Sequence, residues 1–261
     1  MKRHTAPDRM MSGLAACTAP GLALLAAAGL LTPAALAAPA VVPAGGDLEG
    51  FASFLSAGVR YILPGGNEQI LFLLAIFLTS PRTGPLFTQL LAFILGHSLT
   101  LWLAAFGVIV PPAGLIAWLV PVTVVLVSLE NLLFGRVTKM KPGLVFAYGL
   151  IHGLAFALAF DALGGGDAGR SGELFGFNLG LEAAHLAVIG LAFAASLYFR
   201  GVLKQSSRMD LFRPMIVVPV SLAICVTGIV WTVQAFNAYG APQARPGLPA
   251  SHLHSGLVIK R

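Results

Sequence analysis

Five stretches of this chain, residues 86–110, 112–134, 143–163, 173–199 and 214–237, are each long enough to cross a bilayer and almost free of charge. A spanning helix needs about 20 predominantly apolar residues. A chain built from such stretches has to satisfy its backbone polar groups inside each segment, which leaves helices as the available architecture. Composition agrees: 57% of the 261 residues are hydrophobic, 10% are charged, and the mean hydropathy is +0.86. Soluble domains carry about 25% charged residues, so a soluble enzyme, a disordered tail and a nucleic-acid binder are poor matches. The expected fold is all-α, a polytopic transmembrane bundle of about six spans.

The sixth span comes from residues 50–80, where Pro64, Gly65 and Gly66 separate two apolar pieces that are each too short to span alone. The second piece opens with Asn67, a good helix cap, and Glu68. Two readings stay open: a broken membrane helix of the kind transporters use near their sites, or an interfacial helix turning into a short span. Ahead of it, Lys2, Arg3 and Arg9 precede an apolar stretch that ends in Ala35-Leu36-Ala37-Ala38. That order reads as a signal peptide over 1–37, with an uncleaved first helix as the alternative. The expected organisation is then 1–37 signal peptide, 38–49 short external segment, 50–237 transmembrane domain and 238–261 mobile external tail. Cleavage removes three basic residues and Asp8, taking the net charge from +6 to +4.

An external mature N-terminus assigns Arg82, Arg136, Lys139, Lys141, Arg200, Lys204, Arg208 and Arg213 to loops on one side, while the opposite loops hold almost no basic residues. The positive-inside rule makes the basic side cytoplasmic. The expected location is a bacterial-type inner membrane with both mature termini outside. Cys17 and Cys225 provide no disulfide framework, and His252 and His254 in the tail read as ordinary tail residues, with metal gathering outside as the alternative.

Polar residues inside spans cost free energy and usually face the bundle interior, so they are the candidates for function. They are Glu68 and Gln69 in the first span, His97 and Ser98 in the second, Glu130 and Asn131 in the third, His152 in the fourth, and Asn178, Glu182 and His185 in the fifth. At 1.5 Å per residue, His97, His152 and His185 lie about 14 to 18 Å from the nearer start of their helices, close to mid-bilayer. Asn178, Glu182 and His185 share one helical stripe, and Glu182 with His185 forms the E-x-x-H spacing that presents a carboxylate and an imidazole to one ion. Imidazoles with carboxylates suit a divalent transition-metal ion, nickel ahead of cobalt or zinc. The expected metal set is His97, His152, Glu182 and His185. Glu68, Gln69, Ser98, Glu130, Asn131 and Asn178 lie along the ion path or support it. For Glu130 the structural alternative is a helix-end pair with Arg136 or Lys139.

Five ordered motifs then carry a resemblance. They are Gly66-Asn-Glu-Gln-Ile-Leu-Phe, Leu95-Gly-His-Ser-Leu-Thr-Leu, Glu130-Asn-Leu-Leu, Gly149-Leu-Ile-His-Gly-Leu-Ala-Phe and Phe177-Asn-Leu-Gly-Leu-Glu. Together they resemble the HupE/UreJ family, and its second branch more closely. The resemblance implies a membrane protein tied to nickel supply for hydrogenase or urease, a permease or an accessory that works with metalloenzyme maturation proteins. The family pattern has Asp-His where this chain has Glu68-Gln69, and commonly glutamine where His185 stands. An exchange of roles between Gln69 and His185, across a contact of the first and fifth spans, would preserve the number of imidazoles. The expectation is a non-enzyme whose partners are the bilayer, the metal ion and possible maturation proteins, with no organic cofactor. A zinc-dependent intramembrane hydrolase is the enzymatic alternative, because three histidines can hold zinc while a glutamate activates water. No H-E-x-x-H helix or G-x-S-x-G elbow supports it.

Overall fold

The computed structural model describes residues 47–79, 83–134, 140–165, 171–205 and 211–240, and among them every regular element is a helix. In chain order these are α1 (Asp47–Ile62), α2 (Asn67–Thr79), α3 (Thr83–Ala105), α4 (Ala113–Leu133), α5 (Lys141–Ala162), α6 (Ser171–Gln205) and α7 (Val218–Gly240). A short π-helical turn, Arg213–Val217, leads into α7. Five helices are long and apolar enough to cross a membrane, or six crossings if α1 and α2, bent by 70° across Pro64–Gly66, count as one. The proposed signal peptide, most of the 38–49 segment and nearly all of the tail lie outside the described residues.

Two helix ends differ most from the expected spans. Helix α3 stops at Ala105 rather than at 110, because Gly107 takes φ +74° and closes a reverse turn. In that turn the Gly107 amide donates to Ala104 O and the Val108 amide to Leu103 O, both at 2.9 Å. This is the glycine-ended C-terminus that terminates helices. Gly164, at φ +87°, ends α5 in the same way. Helix α6, in contrast, continues six residues beyond the expected 199, to Gln205.

Glycine contacts give the helix directions. A Cβ on Gly149 would lie 2.6 Å from Phe93 O and 3.1 Å from His97 N, and Thr100 donates to Leu150 O at 2.8 Å. The sequence offset between partners is nearly constant, so α3 and α5 run parallel in backbone contact. Helices α1 and α6 are paired likewise, with Gly50 against Glu173 and Gly58 against Leu181. Small residues at such interfaces let backbones approach closely, which drives helix association in lipid. Helices α4 and α7 run antiparallel, with Gly228 facing Val125 and Asn131 facing Ser221. The result is an alternating bundle in which α3, α5 and α7 run one way and α1, α4 and α6 the other. Lys141, Lys204 and Arg213 gather at one end, and Glu49, Asp161 and Glu173 at the other.

The short α2 is the centre of this arrangement. Eight of its thirteen residues are buried, including Asn67, Gln69, Leu71, Phe72 and Phe77. Gly66 permits the bend, since a Cβ there would stand 2.8 Å from Ile62 Cα and Tyr61 O. Helix α3 shows how the bundle sorts its surface. Phe87, Leu91, Leu95 and Leu99 form an exposed apolar stripe, while Gln89, Phe93 and His97 are buried on the opposite side. Apolar residues outside and polar residues within is the pattern expected when hydrocarbon is the solvent.

Candidate metal centre

His97 enters from α3, while Glu182 and His185 enter from α6 one turn apart. Glu182 Oε1 lies 2.8 Å from His97 Nε2, and Glu182 Oε2 lies 3.6 Å from His185 Nδ1. The three ligand atoms fall within 4.8 Å of one another, and the two imidazole centroids are 5.3 Å apart. His97 is fully buried, His185 is 3% exposed, and the Glu182 side chain is 16% exposed. Among the described residues, neither ring nitrogen of His97 or His185, and neither carboxylate oxygen of Glu182, has a hydrogen-bond partner of acceptable geometry. Close approach without alignment is informative. Buried polar atoms are normally bonded, and donors about 2.1 Å from a tetrahedral ion sit about 3.4 Å apart, which the two measured separations bracket.

The surroundings hold this group still and dry. Ser98, next to His97, exchanges hydrogen bonds with Asn178, one turn before Glu182: Ser98 Oγ donates to Asn178 Oδ1, and Asn178 Nδ2 to Ser98 Oγ, both at 3.2 Å. Adjacent residues of α3 therefore both reach α6, and Ser98 is bound to an amide. Phe93 lies 4.9 Å from the His97 ring and 5.5 Å from His185, with Phe156 at 5.3 and 6.0 Å. Excluding water in this way strengthens every electrostatic interaction inside the group.

His152, expected with the others, stands apart from them. Its Nε2 is 2.8 Å from Thr123 Oγ1 on α4, and its ring packs 4.5 Å from Phe72 and 5.5 Å from Phe93. Thr123 also lies 2.7 Å from Val120 O, the natural acceptor for its single proton. His152 Nε2–H then donates to the hydroxyl, and Nδ1, which has no partner among the described residues, keeps its lone pair. Depth along a helix placed His152 correctly; direction around the helix did not follow from depth.

Glu130 and Asn131 fall at the basic end of the bundle. Glu130 accepts from the Lys141 ammonium through Oε2 and from Tyr148 OH at 3.1 Å through Oε1. Its partner among the described residues is thus Lys141; Arg136 and Lys139 lie outside them. Asn131 ties three elements: Nδ2 donates to Ala75 O at 2.7 Å and to Ser221 Oγ at 3.4 Å, and Thr79 donates to Oδ1 at 2.5 Å. Both residues are engaged by protein groups. Glu68 is half-buried and Gln69 is buried in the first turns of α2, which packs on α6. Neither belongs to the three-residue group. The sequence reading passed over Lys141 and Gln89. Lys141 was counted as a loop charge, although it is 3% exposed at the start of α5.

The Glu130–Lys141 pair gives a stability prediction. Removing one member of a buried pair leaves an uncompensated charge and costs about 3–5 kcal/mol when burial is complete. Glu130 is 18% exposed, which reduces the effect. Glu130→Gln is expected to destabilise the protein by about 1–3 kcal/mol, and Glu130→Gln with Lys141→Met by less than the single change. Thermal unfolding in micelles of the double variant and of each single change measures this; additivity of the two single changes would rule out the coupling.

The family model described as HupE / UreJ protein matches residues 39–235, three quarters of the chain and all of the candidate site residues. The chain belongs to the HupE/UreJ family. No curated protein and no solved structure matches it. This HupE/UreJ protein is a multi-pass membrane protein whose site residues come from α3 and α6, helices joined by the Ser98–Asn178 bonds and separated in sequence by two other spans.

Proposed function

We propose that this HupE/UreJ protein is a permease for a divalent transition-metal ion, nickel ahead of cobalt or zinc, in a bacterial-type inner membrane. One observation carries the reading: two buried imidazoles and a partly buried carboxylate converge between two helices of an apolar bundle, their ligand atoms within 4.8 Å of one another. Two nitrogens and a carboxylate suit first-row divalent ions. Three protein ligands leave coordination positions open, so the ion can exchange rather than remain fixed as in a closed structural site. Glu68, at the start of α2, attracts the cation from outside. The ion then rests on His97, Glu182 and His185 and leaves toward the basic end, which the positive-inside rule makes cytoplasmic. His152 shapes the aromatic wall from behind.

The test is uptake of Ni²⁺, Co²⁺, Zn²⁺ and Cu²⁺ into proteoliposomes holding the purified full chain. Saturable Ni²⁺ uptake that is lost in His97→Ala, with insertion intact, is expected. Tight binding with no movement of any ion would replace the permease with a non-transporting accessory that holds metal for metalloenzyme maturation. Stoichiometric retained zinc with turnover of a lipid or peptide would favour the hydrolase instead. Unchanged uptake in His97→Ala would remove the proposed centre.

A further inference from the structure

Gln89 is fully buried on α3, on the same stripe as Phe93 and His97, at successive four-residue steps. Its Nε2 donates to Pro85 O at 3.0 Å. That bond fixes the amide, because the reversed orientation would set two carbonyl oxygens against each other. Oε1 is therefore turned away from Pro85, and it has no hydrogen-bond partner among the described residues. A buried amide oxygen without a partner is costly, and an apolar side chain of similar size would avoid that cost. An unsatisfied oxygen in such a position calls for a partner such as a water or an ion.

Its place in the bundle suggests what that is. Gln89 lies eight residues from His97, about 12 Å along α3 toward the basic end. By the register that sets Gly96 beside Gly149 and Thr100 beside Leu150, it is level with the first turn of α5, the depth of Lys141 and Glu130. Sequence reasoning would assign the last ligand of an inward path to Glu130. Both of that residue's oxygens are taken, however, by Lys141 and Tyr148, and the Lys141 ammonium holds the place a cation would occupy. At this depth Gln89 offers an oxygen that is neutral and unengaged. A neutral amide binds a divalent ion more weakly than a carboxylate would, which suits a residue that must release it.

We propose that the Gln89 amide oxygen is the oxygen ligand through which a divalent cation leaves the His97–Glu182–His185 centre toward the basic end of the bundle. The inference rests on the permease reading, and binding and movement separate the two. Gln89→Met keeps the length and removes the oxygen; Gln89→Leu is the second variant should the first insert poorly. With Ni²⁺ as probe and the full chain in nanodiscs, calorimetry is expected to give an affinity within about 3-fold of wild type for both, since the three ligands are untouched. In proteoliposomes, Ni²⁺ uptake is expected to fall by about 10-fold or more, and the thermal midpoint to stay level or rise. Wild-type uptake in both variants overturns the proposal and leaves the permease reading in place. An affinity loss matching that of His97→Ala also overturns it, by making Gln89 part of the centre itself. Absence of Ni²⁺ uptake in the wild type removes the permease reading, and this proposal with it.

Discussion

Replacing His97 with alanine is expected to lower Ni²⁺ affinity by more than about 100-fold, with helical content and insertion unchanged. Even outer-sphere partners of a metal cost 10- to 100-fold when lost, and His97 faces the Glu182 carboxylate directly at 2.8 Å. Removing His97 takes the only α3 ligand, so the other two, both on α6, no longer bridge two helices. His185→Ala is expected to behave similarly, and Glu182→Gln to be at least as severe, because the carboxylate is the only anion in the group. His152→Ala is the discriminating control. With its ring beyond Phe93 and its Nε2 on Thr123, it is expected to change affinity by less than about 10-fold while lowering stability through the lost packing. Equal losses for His152→Ala and His97→Ala would mean that the four imidazole and carboxylate groups act as one centre. The exchange between Gln69 and His185 is tested in the same series. If Gln69 can supply the imidazole from α2, Gln69→His combined with His185→Gln should bind better than His185→Gln alone. A double variant as poor as the poorer single one would remove the exchange.

The same contrast shows what the sequence could reveal. Span number followed from composition because a bilayer allows few alternatives to a 20-residue apolar helix. The grouping of His97, Glu182 and His185 was accessible because depth is counted along a helix, and Glu182 and His185 share a stripe by spacing alone. His152 has the required depth but a different azimuth, and azimuth depends on which neighbours a helix packs against; Thr123 of α4, not the centre, lies on its side. Glu130 and Asn131 looked available because their partners come from α5, α2 and α7, elements brought near only by the fold. Gln89 was missed for a simpler reason. A span beginning at Leu86 leaves it near the headgroups, whereas α3 begins at Thr83 and buries it completely.

The second large effect is expected at a residue with no ligand atom of its own, Gly149. A Cβ there would stand 2.6 Å from Phe93 O, 3.1 Å from His97 N and 3.2 Å from Gly96 Cα, all backbone atoms that cannot rotate away. Gly149→Leu must separate α3 from α5, and the resulting loss spreads over the whole parallel contact rather than one side chain. Overpacking of a fitted interior costs about 1–3 kcal/mol or more, and here the obstructing atoms belong to the helix that carries His97. Gly149→Leu is therefore expected to give little folded protein. Gly149→Ala should insert, lose thermal stability by several degrees, and bind Ni²⁺ about 10-fold more weakly, because displacing α3 moves His97 relative to Glu182 and His185. Gly84 and Gly143 supply the control, since a Cβ at either meets nothing within 4 Å among the described residues. Alanine there should leave stability and affinity unchanged. If Gly149→Ala bound Ni²⁺ as tightly as the Gly143→Ala protein, the position of His97 would not depend on the α3–α5 contact. The centre would then have to be held by α6 and the Ser98–Asn178 bonds alone.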